Sequence, residues 1–411
     1  MGANEASNPV KLIVNMPAAF SLSRNLTCLY LVKVAKWMNL VMPIIVLFYK
    51  SNGMSMQDIF TLQAVYSFTL MALEIPTGYF ADNAGRRTSI LLGSLLGFGG
   101  YLLYSFSFGF WEFVVAETIL GVGMSLVSGA DSAMLYDSLM SAGKSGNYTK
   151  YEGRITSIGN FAEAAAGIAG GLLAVSSLRM PYYFQAGVAF IAIPAALLLR
   201  EPPVHGHIRK PSLNDIRKIV VKVLHGDKRL TWNTLFSAVT GTSTLTMAWF
   251  AQPYFSSIGL PVSMYGVLWA VLNLSVGITA ILAWRIEGAL KPPRTVALFT
   301  ILLCLSYFAL ALTHSYAGLV FLLVFYLARG LATVTLRNYI NVITSSDIRA
   351  TVLSVRNFII RLLFVLTGPL FGWITDHHGL QAALVSAGFI FGSLGSITMF
   401  FFIRNKTYKA L

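Results

Sequence analysis

Apolar runs of about twenty residues follow one another along almost the whole chain, parted by short polar breaks. A helix of that length crosses a hydrocarbon core of about 30 Å, so the pattern predicts membrane-spanning helices. The runs fall at 26–49, 57–81, 87–108, 111–138, 154–176, 180–200, 231–256, 262–285, 295–313, 316–342, 349–374 and 380–404, twelve in all. One polar interval, Glu201 to Leu230, is longer than the rest and divides six spans from six. The expected architecture is all-α and integral to the membrane: a bundle over 1–200, a cytoplasmic linker over 201–230 and a second bundle over 231–411. Within the linker Ile216, Ile219, Val220 and Val223 share a helical face opposite Arg217, Lys218 and Lys222. That stretch suits either an amphipathic helix lying on an anionic leaflet or a plain solvated connection.

Composition agrees with the pattern, since 56% of the 411 residues are hydrophobic, 11% are charged and the mean hydropathy is +0.68. Ordinary soluble domains carry far more charge. A net charge of +14 would suit nucleic acid, but its placement speaks against that partner. With both termini cytoplasmic, 22 of the 30 Lys and Arg lie on the cytoplasmic side and the outer loops hold only Lys50 and Arg179. This is the positive-inside asymmetry of a multi-pass protein. The first twenty residues lack a basic start followed by an uninterrupted apolar core, so no cleavable signal peptide is expected. Cys28 and Cys304, one in each half and without metal-ligand spacing, read as packing residues. No metal or cofactor is expected.

"GYFADNAGRR" places Gly78, Asp82, Gly85, Arg86 and Arg87 between the second and third spans. It resembles the signature loop of the major facilitator superfamily, and six plus six spans fit that family over the whole chain. "LEIPTG" before the loop, "SGADSAMLYDSL" closing the fourth span and "RATVLSV" opening the eleventh resemble its drug-antiporter-like branch, as found in bacterial inner membranes. The resemblance implies two pseudo-symmetric six-helix bundles that rock around a central site. It also implies a latch in which Asp82, beside Arg86, meets Arg349 or Arg356. A degenerate counterpart, "AWRIEGALKPPRT", follows the eighth span, with Glu287 at the Asp82 position and Lys291 at the Arg86 position; such internal repeats accompany alternating access. Two departures weaken export by proton exchange. Glu117 in "ETILGVG" stands where many relatives carry Arg, and "GNFAEAAAGIAGG" lacks the proline of the antiporter motif.

Six basic residues fall inside the predicted spans, Lys33, Lys36, Arg329, Arg337, Arg356 and Arg361, together with four acids, Glu74, Glu117, Asp131 and Glu163. At about 3 kcal/mol each, six unpaired cations would cost about 18 kcal/mol, more than the stability of most domains. They must therefore face water or partners. At 1.5 Å per residue Lys36, Glu163, Arg361 and Arg329 each lie roughly 14–20 Å from their helix ends, near mid-depth. Lys33 sits one turn from Lys36 on nearly the same face. Pairing four cations with four acids leaves about two positive charges, so the cavity is expected to favour an anion, with Arg suited to a carboxylate or phosphate.

The substrate-binding candidates are Lys33, Lys36, Arg329 and Arg361, joined by Asn39, Trp249, Tyr254 and Asn273. Thr242, Ser243, Thr244, Thr246 and Gln252 of the seventh span add a neutral polar lining. Glu163, among Ala and Gly, is the first candidate proton carrier, with Glu117 and Asp131 in reserve; desolvation favours a neutral carboxyl and a nearby cation a charged one. Arg337, Arg356, Asp131 and Glu74, toward the cytoplasmic ends, suit gating or structural pairing. No His lies within a span. The expected function is secondary active transport of a small organic anion or zwitterion, proton-coupled, by a monomer. The alternative is a proton-coupled exporter of lipophilic cations. An enzyme fits poorly, because no zinc-type His spacing or phosphate loop is present and "GVGMSL" fails as a dinucleotide fingerprint at Leu126. "DHH" at Asp376 to His378 reads as a polar outer turn.

Overall fold

A computed structural model describes residues 21–203, 220–345, 348–405 and 407, and among them every regular element is helical. The first half of the chain holds α1 (Leu22–Trp37), α2 (Ile45–Ser51), α3 (Met56–Ala84), α4 (Arg86–Phe106), α5 (Phe110–Val127), α6 (Ala130–Ser141), α7 (Tyr148–Ser176) and α8 (Met180–Leu198). The second holds α9 (Lys228–Ser257), α10 (Val262–Leu290), α11 (Pro292–Leu312), α12 (Gly318–Ile343) and the run Arg349–Arg404. That run turns at Gly379 (φ 85°) into α13 (349–378) and α14 (380–404). Ile216, Arg217, Lys218 and Ile219 of the expected amphipathic stretch lie outside the described residues. Val223, assigned to its apolar face, is instead buried with Leu230, Ile340 and Val352.

Among the described residues nine helices are long and apolar enough to cross a membrane, counting Phe110–Ser141 and Thr351–Arg404 as one each. α1 and α2 are each too short to be among them. The long helices expose apolar side chains: Leu312 of α11, Phe161 of α7 and Ile281 of α10 are 81%, 76% and 74% exposed, which suits contact with lipid.

Two predicted spans are not single helices. The run 26–49 breaks between Trp37 and Ile45. Pro43 has no N–H to continue the ladder, and the residue before a proline is steered away from helical geometry. Side chains take over the freed backbone groups. The Gln185 carbonyl accepts from Leu40 N (2.8 Å), while Gln252 accepts from Val46 N (2.9 Å) and donates to the Met42 carbonyl (2.8 Å). The run 111–138 breaks at Gly129, whose φ of 84° is a conformation only glycine adopts at no cost.

The repeat is visible in the two joints at the end carrying the signature loop. Gly85 (φ 95°, ψ 144°) turns α3 into α4, and Lys291 (φ 63°, ψ 153°) turns α10 into α11. The joint therefore aligns Lys291 with Gly85, so Glu287 stands one position before the counterpart of Asp82 rather than at it.

At the opposite, far end the two halves are clamped together. Asp376 near the end of α13 accepts from Met56 N (2.9 Å) and Gln57 N (2.7 Å) at the start of α3, and Lys50 Nζ lies 3.8 Å from it. α7 meets α10 where Gly171 and Gly266 touch backbone to backbone, so closely that a side chain on either would collide with the other helix. Gln252, from α9, seals the gap between α1 and α2.

Candidate functional site

Helices of both halves enclose a cavity of about 420 Å³, the size of a small-molecule site. Eight residues singled out in the sequence come together on its wall: Lys36, Asn39, Glu117, Glu163, Trp249, Asn273, Arg329 and Arg361. Depth counted along separate helices thus converged on one chamber.

The helix breaks explain the charges of the first half. Lys36 sits in the last turn of α1, where orphan carbonyls favour a cation, and Asp131 sits in the first turn of α6, where orphan amides favour an anion. The two ends meet, with Lys36 Nζ 3.3 Å from Asp131, and Asp131 also accepts from Ser132 N (2.7 Å). Lys33 adds to the positive field at Asp131 and lies 5.5 Å over the Trp37 ring, off the cavity wall. Asp131 is likewise behind the wall rather than on it.

Glu117 is buried in a network of neutral donors. Tyr49 OH (2.8 Å) and Gln63 Nε2 (2.6 Å) donate to it, and the Tyr49 and Tyr104 hydroxyls are 2.5 Å apart. These partners were not anticipated, although Gln63 and Gln185 carry a readable signal as lone amides in apolar runs. Tyr66, Tyr101 and Trp269 complete an aromatic lining with Trp249.

The second half holds its charges on unbroken helices. Arg329 of α12 lies 5.4 Å over the Tyr326 ring and within the field of Glu163; Arg361 of α13 lies in the field of Glu74. Neither guanidinium has a carboxylate within 4 Å among the described residues, where the ion pairs are those of Lys36, Lys50 and Arg86. The expected cation surplus is nonetheless smaller than the helix count implied. The wall carries Lys36, Arg329 and Arg361 against Glu117 and Glu163, and Arg337 and Arg356 lie elsewhere.

Several other expected residues serve elsewhere. Tyr254 donates to the Thr313 (2.8 Å) and Ser315 (3.1 Å) carbonyls at the far end, away from the cavity. The hydroxyls of Thr242 and Thr244 bond to carbonyls of their own helix, that of Thr242 also to the Ile360 carbonyl of α13 (3.2 Å), and Leu245, Ala248 and Trp249 face the chamber instead. Asn273 lines the cavity but donates to the Trp269 carbonyl (3.0 Å). Of the gating candidates, Arg86 pairs with Asp137 and donates to the Ala133 carbonyl (2.7 Å), with Asp82 3.9 Å away. Arg349 donates to the Thr344 carbonyl (3.3 Å) and Arg356 to Ser237 Oγ (2.5 Å). In this far-end-sealed conformation Asp82 therefore makes no pair with Arg349 or Arg356.

Comparison with known proteins gives the same picture. The sequence model of the Major Facilitator Superfamily matches residues 28–366. Quinolone resistance protein NorA of Staphylococcus aureus strain MSSA476 is 23% identical over 208 residues, 51% of this chain and 50% of that protein. The form from strain MRSA252 is 22% identical over 240 residues, 58% of each. The chain thus spans about half the length of these relatives. Among solved structures, the nucleoside transporter NupG superposes with a TM-score of 0.77 at 14% identity, covering 94% of this chain and 99% of that one. A D-xylose-proton symporter superposes with a TM-score of 0.70 at 15% identity, covering 94% and 98%. At such identities the superpositions speak for the fold alone. With the helical architecture, the signature loop and the match over residues 28–366 in agreement, this chain is a multi-pass membrane protein and belongs to the Major Facilitator Superfamily.

Proposed function

We propose that this chain is a proton-coupled secondary transporter, acting as a monomer by alternating access, for a small organic anion or zwitterion with an aromatic or apolar body. The observation that carries this reading is the pair of guanidinium groups, Arg329 and Arg361, on the wall of a mid-depth cavity without a carboxylate within 4 Å among the described residues. A desolvated guanidinium is costly, and a carboxylate or phosphate of the solute, accepting two parallel N–H bonds, offsets that cost. Tyr66, Tyr101, Trp249 and Trp269 supply flat apolar surface for the rest of the solute.

Glu163 is the proton carrier in this scheme. Its charged carboxylate competes with the solute for the field of Arg329. Protonation of Glu163 releases Arg329, so proton and anion bind cooperatively and move together. The clamp formed by Asp376, Met56 and Gln57 holds the far end shut in this conformation, and the Asp82 latch forms when the signature end closes. The basic signature end faces the cytoplasm of a bacterial inner membrane, with both termini on that side.

A second reading, export of lipophilic cations, draws on Glu117, an acid whose hydrogen-bond partners are all neutral, and on the similarity to a quinolone resistance protein. One experiment separates the two. Thermal-shift titration of the purified protein with matched panels of aromatic carboxylates, phosphates and quaternary amines is repeated with Arg361→Ala and Glu117→Gln. Stabilisation by anions that Arg361→Ala abolishes supports the proposal, and stabilisation by amines alone that Glu117→Gln abolishes overturns it. Glu163→Gln, which mimics the protonated acid, is expected to bind the anion equally well at neutral and acidic pH, whereas the parent binds it better in acid.

A further inference from the structure

A second cavity, of about 460 Å³, lies at the signature end of the second half, between the start of α9 and the end of α14. Three of its lining side chains carry or can carry positive charge: His225, Lys228 and Arg404. Among the described residues no carboxylate lines it. The nearest acid in sequence, Asp227, accepts from Arg229 N (2.9 Å) and so caps the start of α9. Among the described residues neither Lys228 nor Arg404 has an ion-pair partner within 4 Å; the guanidinium of Arg404 lies 6.0 Å over the Phe400 ring.

The floor of this cavity is aromatic. Trp232 and Phe401 stack at 4.2 Å with their planes 13° apart. The remaining polar groups are already committed, since Thr231 Oγ1 donates to the Val223 and Asp227 carbonyls and Asn405 Nδ2 to the Phe401 carbonyl. Beside the cavity the outward face of α14 is apolar, with Ile397, Phe400 and Ile403 exposed at helical spacing along it. Cations without an ion-pair partner among the described residues thus share one cavity with a pair of stacked rings, and an apolar helix face runs beside it.

From this juxtaposition we infer that the α9–α14 cavity binds a phosphate-bearing headgroup, that of an anionic phospholipid whose acyl chains lie along the Ile397–Phe400–Ile403 face. His225, Lys228 and Arg404 donate to the phosphate, Trp232 and Phe401 pack under the glycerol region, and α14 carries the chains. Basic pockets between helices at the membrane–water boundary take such headgroups, and aromatic rings favour the same depth. This cavity and the central chamber share no lining residue.

The test measures lipid retention by native mass spectrometry, with the full-length protein exchanged from phosphatidylcholine nanodiscs into nanodiscs that also contain phosphatidylglycerol. The parent is expected to retain phosphatidylglycerol in preference to phosphatidylcholine. Lys228→Gln with Arg404→Gln is expected to weaken that retention about 30-fold, from the loss of two basic contacts. Lys228→Arg with Arg404→Lys, which keeps both charges, is expected to retain it, and so is Arg294→Gln, which removes a charge at the same end outside the cavity. A melting curve in phosphatidylcholine alone shows that each variant is folded. A parallel arm adds inorganic phosphate to the detergent-solubilised protein. Protection by phosphate that the Gln pair abolishes supports the same site with the phosphate group as its main determinant. Equal retention of phosphatidylglycerol by the parent and by the folded Gln pair overturns the inference.

Discussion

In the first half of the chain the cavity's cation, Lys36, comes with its own counter-ion 3.3 Å away; in the second, Arg329 and Arg361 stand on the same wall with no carboxylate within 4 Å among the described residues. The difference follows from the helices. α1 and α6 end or begin beside the chamber, and a broken helix offers an orphan carbonyl end to a lysine and an orphan amide end to an aspartate. α12 and α13 run through without interruption, so their arginines receive no such help from the backbone. The cavity's cation in the first half is part of how the helices are joined, whereas those in the second are left over for something else. Removing charge should therefore lower stability in one half and affinity in the other.

The largest effect is expected at Asp131. Asp131→Asn leaves Lys36 facing a neutral amide in a nearly buried setting, and breaking one partner of such a pair costs about 3–5 kcal/mol. A clear fall in the melting temperature of the detergent-solubilised protein is the expected result. Lys36→Met combined with Asp131→Leu should recover most of the loss, because it removes the orphan charge along with its partner. Should Asp131→Asn melt with the parent, the pair does not join α1 to α6.

Arg361→Ala should show the reverse pattern. No ion pair is lost, so its melting temperature without solute should move by about 1 kcal/mol or less in equivalent stability, while affinity for an anionic solute falls about 30-fold, or about 2 kcal/mol. Isothermal titration of the variant against the best anion of the panel checks the second number. A variant that unfolds as readily as Asp131→Asn while binding normally would erase the distinction between the halves.

That distinction was only partly legible in the sequence. Counting 1.5 Å per residue brought Lys36, Glu163, Arg329 and Arg361 to one depth, and the structure places all four on one wall. The count assumed unbroken helices, however. Pro43 and the Ser128–Gly129 pair were the available signs that two spans are interrupted, and without those breaks the attraction between Lys36 and Asp131 has no visible cause. Which way a side chain faces was less readable still. Tyr254 and the hydroxyls of Thr242 and Thr244 sit in the same span as Trp249, yet only Trp249 reaches the chamber, because rotation about the helix axis depends on packing against neighbours that a linear pattern does not show. The network of Tyr49, Gln63, Tyr104 and Glu117 joins four separate helices, and no spacing rule within one segment links them.

The seam between the halves gives a smaller effect. Asp376 belongs to the second half but caps the start of α3 in the first, with charge-assisted bonds to Met56 and Gln57. Asp376→Asn keeps an acceptor but loses the charge, at about 1–2 kcal/mol for a carboxylate at a helix start. The far-end-sealed population should drop about 5- to 30-fold relative to the unsealed one, read as a longer spin-label distance across that end. Asp82→Asn should not lengthen that distance, because Asp82 makes no contact across the seam in this conformation and its proposed latch belongs to the opposite one.

The smallest effect compares the two joints themselves. Gly85 and Lys291 occupy equivalent turns with φ of 95° and 63°, and only the glycine is suited to that backbone. A side chain held there costs of order 1–3 kcal/mol, partly offset by the greater freedom a glycine has in the unfolded chain. Lys291→Gly should thus stabilise the protein by about 1 kcal/mol. Gly85→Ala should destabilise it by more, since the added Cβ would also stand 2.7 Å from the Glu201 carboxylate that accepts from Arg87 N. Both melting temperatures are measurable in detergent, and opposite signs are expected. If Lys291→Gly melted lower than the parent, the lysine would hold the second joint through a contact that outweighs its strained backbone, and the two joints would be alike in shape but not in how they are held.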